Sequence, residues 1–325
     1  MRRYIIRRII LAIPTIIGIT LISFIVIHLA PGNPVDGMTM LDPKASSFEL
    51  KQKLMAQYGL DSPIHKQYLN WVRRIINFDF GVSYRDGQKV MVKIAERAPI
   101  TLFINGLSVL LILLIAIPIG AAGAVKCNGL FDRLTTIIVF IGFAFPGFWL
   151  ALLLMSFFGI RLGWLPIQGI VSLDFDTLTM AGKAADIARH LALPVFVSCA
   201  GGIAGMSRYV RNSMLEVLRK DYIKMARAKG LKERDVIYKH ALKNAILPVI
   251  TILGLAVPGL IGGSVIFESV FGIPGMGRLF YESAMSRDYP VIMAVLVIGA
   301  LLTLAGNILA DIVYSLADPR VKYDK

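Results

Sequence analysis

The sequence predicts an all-α integral membrane protein with six transmembrane helices, a small extracytoplasmic subdomain and a helical segment on the cytoplasmic side. Three observations lead there. Apolar residues make up 56% of the chain and mean hydropathy is +0.68, above the roughly 45–50% apolar share of soluble domains. Those residues are gathered into blocks near the length of about 20 residues that a bilayer core demands. The basic residues, finally, are shared unevenly between the segments that separate the blocks.

Taken in order, the chain divides into a basic tail with the first span (1–30), a polar stretch (31–99) and a five-helix core (100–325). Arg2, Arg3, Arg7 and Arg8 precede the apolar run Ile9 to Ala30. That run exceeds a secretory h-region and no small-residue cleavage site follows, so an uncleaved span is expected. The stretch 31–99 starts with the turn formers Pro31, Gly32, Asn33 and Pro34 and is long enough for a small outer subdomain. Within it Ile64, Tyr68, Trp71, Val72, Ile75 and Ile76 recur at helical spacing and predict one apolar face, suited to packing or to docking a soluble partner.

The remaining spans are expected at 101–125, 134–158, 191–207, 245–267 and 290–316. Between the third and fourth, Gly159 to His190 carries Trp164, Pro166 and Gly169 and then a polar run, which predicts an irregular outer loop. The fifth contains Pro248, Gly254, Pro258 and Gly259, residues that remove a backbone donor or loosen a helix, so a kink and a candidate gate are expected there.

A net charge of +14 raises nucleic acid as a partner, so the distribution of charge decides. With the N-terminus inside, the inner segments hold 20 of the 35 Lys and Arg but 8 of the 21 acids. The resulting +12 inside against +2 elsewhere fits the retention of positive charge on the cytoplasmic side and predicts both termini there. No aromatic-basic module interrupts the apolar blocks; anionic lipid head groups account for the charge and no nucleic-acid partner is expected.

Motifs for chemistry are missing. The Gly182-Lys183 pair is followed by Ala184, so no phosphate loop forms, and Ser264 lacks the glycine that would complete a nucleophile elbow. His28, His65, His190 and His240 are too dispersed for a helical zinc site, and Cys127 and Cys199 are expected at different membrane levels. No catalytic, cofactor or metal ligand is therefore nominated. In the last span Asp311 sits one turn from Asn307 near the cytoplasmic end, where Arg208 or Arg211 is the expected partner. Glu268, Arg287 and Asp288 are placed near the outer mouth. With no chain of buried acids, a proton- or sodium-driven carrier is disfavoured, and a membrane-embedded enzyme lacks a motif.

The most informative stretch is 208–244, longer than a link between adjacent spans requires. Val217, Tyr222, Met225, Ala226 and Leu231 offer an apolar face, the small Ala226, Ala228 and Gly230 permit close approach of another surface, and Arg219, Lys224, Arg227, Lys229 and Lys232 surround it with charge. A lipid-facing amphipathic helix is the plainer alternative.

Residues 221–248 read DYIKMARAKGLKERDVIYKHALKNAILP and resemble the coupling segment of ATP-binding cassette importer permeases. Ala226 and Gly230 match the second Ala and the Gly of the pattern Glu-Ala-Ala, three residues, Gly, and Leu247-Pro248 match its ending. Lys224 and Met225 stand in place of Glu and the first Ala, and the interval to the proline is longer. These departures are similar to the dipeptide, oligopeptide and nickel branch, which the chain also resembles at PGNP (31–34), YGLDSPIHKQYLNW (58–71), DFGVSYRDGQKV (79–90), RAPITL (97–102), GWLPIQG (163–169), FGIPGMGRLFYESAMSRDYP (271–290) and DPR (318–320).

The resemblance implies a permease subunit that works with a second homologous permease, two ATPases that bind ATP and Mg, and an extracytoplasmic binding protein. Tyr222, Met225, Ala226, Ala228, Lys229, Gly230 and Leu231 would then contact an ATPase. Di- or oligopeptides are the implied cargo, with nickel chelates, glutathione or other small solutes as alternatives, and hydrolysis would reside in the partner subunits.

Overall fold

The computed structural model describes residues 2–29, 52, 55, 59 and 61–317. The PGNP turn, the terminal DPR, the side chain of Asp311 and most of the expected subdomain before residue 61 lie outside the described residues. Among the described residues the chain is helical, with one isolated antiparallel bridge, Val82 to Lys89. Among the described residues five helices are long and apolar enough to cross a membrane, and a bent pair supplies a sixth crossing if counted as one span.

In chain order the main helices are α1 (Arg2–Leu29), α2 (Ile64–Ile76), α3 (Val90–Val125), α4 (Leu130–Ala144) and α5 (Gly147–Leu154). There follow α6 (Met180–Leu218), α7 (Asp221–Ala228), α8 (Leu247–Gly262), α9 (Val265–Val270), α10 (Met276–Ser286) and α11 (Tyr289–Ala317). Two compact units emerge, one from 1–101, 261–265 and 274–305, the other from 102–260, 266–273 and 306–325.

In the first unit the described residues of the stretch 31–99 group with α1 and with α10 and α11. The physical reason is apolar packing: Phe80, Val90 and Ile94 bury against Met276, Leu279, Val291 and Val297, with Trp71 and Ile75 added from α2. A second cluster joins Phe24 and Ile27 of α1 to Tyr289, Ile292 and Met293 of α11, with Tyr68 and Trp71 against it. Thr101 Oγ1 accepts the buried Met276 N–H at 2.9 Å, a donor that has no partner within α10. At Gly277 a Cβ would meet backbone atoms of Ser264 and Val265 at 2.6 Å, so the α10 start demands glycine.

Asp288 lies between α10 and α11, after Arg287 in the left-handed region at φ 56°. Its buried carboxylate accepts from the Ser83 hydroxyl and, at 2.9 Å, from the Tyr84 N–H, so the turn after Val82 is tied to a residue 205 positions on. Lys93 Nζ donates to Ser83 Oγ at 3.0 Å and to Asp86 at 2.6 Å. Burial pushes the Asp288 carboxyl above the usual carboxylate range, against the opposing pull of these donors. None of Glu268, Arg287 and Asp288 is thereby marked as a cargo ligand; Glu268 too is buried.

In the second unit the expected span 134–158 is two helices meeting at 94°. Phe145 is extended at φ −100° and ψ 130°, as a residue preceding proline must be, and Pro146 opens α5. The helix then widens into a π segment over Met155–Arg161. By contrast the expected span 191–207 is the middle of the 39-residue α6. Its Ser207 carbonyl lies where a Cβ at Gly120 of α3 would be, at 2.5 Å, so glycine sets the closeness of the α3–α6 crossing. Arg211 holds Asp132 at the start of α4 in a bidentate pair; the expected pairing with Asp311 falls on a side chain outside the described residues.

Candidate functional site

The candidate site is the turn and short helix that follow α6. As α6 ends, the Arg219 and Lys220 N–H groups donate back to Glu216 and Val217, closing the last turn. After it, α7 carries apolar residues on more than one side, and the structure selects which side packs. Ile223 is fully buried and Ala226 nearly so, against Val210 and Met214 of α6 and Ala121 and Ala124 of α3. Tyr222 and Met225 face out, Met225 with 58% of its surface exposed.

Gly230 ends α7 in a Schellman arrangement. Its φ is +78°, its N–H donates to the Arg227 carbonyl at 2.9 Å, and the Leu231 N–H donates to the Ala226 carbonyl at 3.4 Å. A Cβ there would meet nothing within 4 Å. The glycine is therefore required by backbone conformation within this chain. Arg227 closes the turn from outside, with Nη2 and Nε on the two oxygens of Glu233 at 2.6 and 3.1 Å.

Past the turn, Val236–Leu242 is a π segment. Its wider turn brings Val236 and Ala241, five apart, onto the same buried side, and Ala245 and Val249 continue that line at spacings of four. The whole segment from Asp221 to Val249 is thus clamped to α6 by small and β-branched side chains.

Of the residues nominated from sequence, Tyr222, Met225, Ala228, Lys229, Gly230 and Leu231 lie on the exposed side, and Ala226 does not. Ala226 is a packing residue of this chain, which corrects its placement beside Tyr222 and Met225. Sequence reasoning missed Ile223, Val236 and Ala241 as the anchors and Tyr238, 58% exposed, as a further outward aromatic. The legible signal was the spacing Ile223–Ala226 ahead of a glycine. Around the outward apolar residues stand Arg219, Lys220, Lys224, Lys229 and Lys232, all exposed. Such a surface can receive a protein face with acidic and apolar groups.

The second nominated set lies on α8. Pro248 occupies its first turn, where a missing N–H costs nothing. Gly254, Pro258 and Gly259 fall within the helical stretch to Gly262, which the left-handed Gly263, φ 65°, ends, while Ile246 before it keeps right-handed helical dihedrals. The Asn105 side-chain amide of α3 donates to the carbonyls of Gly259 and Leu260 at 3.2 and 2.9 Å. Among the described residues no group of three or more His, Cys, Asp or Glu is placed to hold a metal ion.

Helices long and apolar enough to span a membrane, with a clamped, outward-facing helix between two of them, define an integral membrane protein. The chain matches two family models, "Binding-protein-dependent transport system inner membrane component" over residues 116–323 and the N-terminal domain of the same components over residues 1–105. It belongs to that family and is a membrane permease subunit. It is 45% identical over 324 residues to the oligopeptide transport system permease protein AppB of Bacillus subtilis, covering 99% of this chain and all of that one. It is 37% identical to the dipeptide permease DppB of Alkalihalophilus pseudofirmus, covering 99% of this chain and all of the relative. Against DppB of Escherichia coli K12 the identity is 35%, with both chains covered in full.

Proposed function

We propose that this subunit forms half of the pathway of an ATP-driven importer that carries di- or oligopeptides inward by alternating access. The observation that carries the reading is the two-sidedness of α7. One side, Ile223 and Ala226, is locked to α6 and α3, and the other, Tyr222 and Met225, is open among exposed lysines and arginines. A force on the open side passes into α6 through close-packed contacts, because a packed core transmits displacement with little compliance.

In this reading two ATP-binding cassette subunits bind ATP and Mg and dock on Tyr222, Met225, Ala228, Lys229 and Leu231. A second homologous permease completes the pathway, and an extracytoplasmic binding protein delivers the cargo. The subunit sits in a prokaryotic plasma membrane with both termini cytoplasmic, which the basic bias of the inner segments supports. Closure of the ATPase pair moves α7 and with it α6, while α8, with Pro248, Gly254, Pro258 and Gly259, serves as the mobile wall. Peptide cargo is supported by the names of the relatives.

The test is co-purification of the tagged chain from its native membrane in mild detergent, followed by mass spectrometry, with Met225→Glu alongside. Recovery of a sister permease and two ATPases with the wild-type chain, and loss of the ATPases with the variant, is expected. Solitary recovery of the wild-type chain, or full retention of the ATPases by the variant, would overturn it.

A further inference from the structure

We infer that α2 is an interfacial helix, seated in the leaflet at the Leu29 end of α1 with its outer side in direct contact with lipid. The argument begins with depth. Between Arg8 and Pro31 there are 22 residues, which at 1.5 Å per residue span about 33 Å, close to the hydrocarbon thickness of about 30 Å. The register of α1 in the bilayer is fixed by this lack of slack. Thr20 then lies about 13 Å inside the Leu29 end, near the midplane.

Tyr68 of α2 reaches that level. Its hydroxyl stands 3.0 Å from Thr20 Oγ1, and its ring meets Phe24 edge-on with centroids 5.3 Å apart. Trp71 lies against Phe24 as well, and Gln67 hydrogen-bonds His28 at 3.2 Å. A phenol side chain is about 6–7 Å long, so the α2 backbone itself runs below the level of Leu29 by several ångströms, inside the membrane boundary. There α2 is a neighbour of the lipid-facing α1, whose Leu21, Ile22, Ile25 and Val26 are exposed.

The two sides of α2 fit that position. Tyr68, Trp71 and Ile75 turn towards the protein clusters described above. Ile64 and Ile76, which the sequence placed on the same side as these, are exposed, as are Leu69 and Phe78. Ile76 follows Leu69 by seven residues on one stripe, and Lys66 and Arg73 flank it. Apolar side chains beside long cations suit the boundary between acyl chains and phosphates, where the cations extend to the head groups. The continuity with the α1 lipid face makes bilayer lipid the occupant of this side.

The test uses spin labels on the full chain, reconstituted with its co-purifying subunits in phospholipid vesicles and carrying Cys127→Ser and Cys199→Ala. Leu69→Cys and Ile76→Cys are compared with Ile22→Cys on α1 and Asp176→Cys in the exposed loop before α6. Collision with oxygen, which concentrates in lipid, is set against collision with a water-soluble nickel chelate. Both α2 sites should show an oxygen-to-nickel ratio several-fold above that at 176 and approaching that at 22. A ratio like that at 176 would place α2 in water, and suppression of both collisions would mean that protein covers it; either overturns the inference. The two sites are independent, so failure of one variant to assemble leaves the other to decide.

Discussion

Arg211 grips Asp132 with two nitrogens, Nε on Oδ1 at 2.5 Å and Nη2 on Oδ2 at 2.7 Å, and so joins α6 to the start of α4 across 79 residues of chain. Both side chains are largely buried and the Asn128 N–H also donates to Asp132 at 2.8 Å. Removing one partner strands the other charge away from water. Asp132→Ala should therefore destabilise the detergent-solubilised protein by about 3 kcal/mol, and the double change Asp132→Leu with Arg211→Met should recover most of it. Thermal unfolding of the three variants checks this; additive losses would show that the pair does not act as a unit.

Gly230 tests backbone against interface. Its left-handed φ with open space around the Cβ position means that Gly230→Ala should cost about 1 kcal/mol through strain alone, and Gly230→Asn less. The readout is hydrogen exchange over 219–234 in the isolated subunit, with no partner present. Identical protection in all three proteins would leave the Schellman turn without energetic weight.

The two sides of α7 should separate stability from assembly. Ile223→Ala empties a fully buried site and should cost about 3 kcal/mol of subunit stability. Met225→Ala removes an exposed side chain and should leave the melting temperature unchanged while lowering recovery of the proposed ATPase partners about tenfold. The same behaviour from both variants would contradict the two-sided arrangement.

Asp288 gives a pH dependence of defined sign. Its folded carboxyl titrates above its unfolded value because it is buried, so its favourable contribution is complete below the unfolded pKa, near 4, and is lost as pH rises through the folded value. Asp288→Asn removes that titration. Relative to wild type, the variant should gain stability from about pH 4 upward and level off once the folded carboxyl is ionised. Melting curves of both proteins across that range decide; a difference independent of pH would mean that the burial of Asp288 carries no charge penalty. Asp86 works in the opposite direction, since burial is outweighed there by Lys93 and neighbouring donors, so its contribution is lost as pH falls.

Much of the helix content was legible because a bilayer leaves few options: a run such as Ile9 to Ala30 has to be a helix. The bend at Phe145–Pro146 was less visible, since a single proline inside an apolar run does not disturb hydropathy, although the backbone rule for the residue before proline holds regardless. On α2 the apolar spacing was clear while the packed side was not, because Ile64 and Ile76 satisfy the same periodicity as Tyr68 and Trp71 and differ only in what lies beside them.

From sequence alone came the membrane class, the family resemblance and the segment 208–244, properties carried by composition, length and motif order. Partnerships between distant residues required the tertiary structure: Arg211 with Asp132, Ser83 with Asp288, Ile223 with the α6 and α3 core. The reason is physical. Whether a segment crosses a bilayer depends on its own run of residues, whereas which of two apolar sides of an eight-residue helix is buried depends on a surface contributed by residues that the local pattern does not contain.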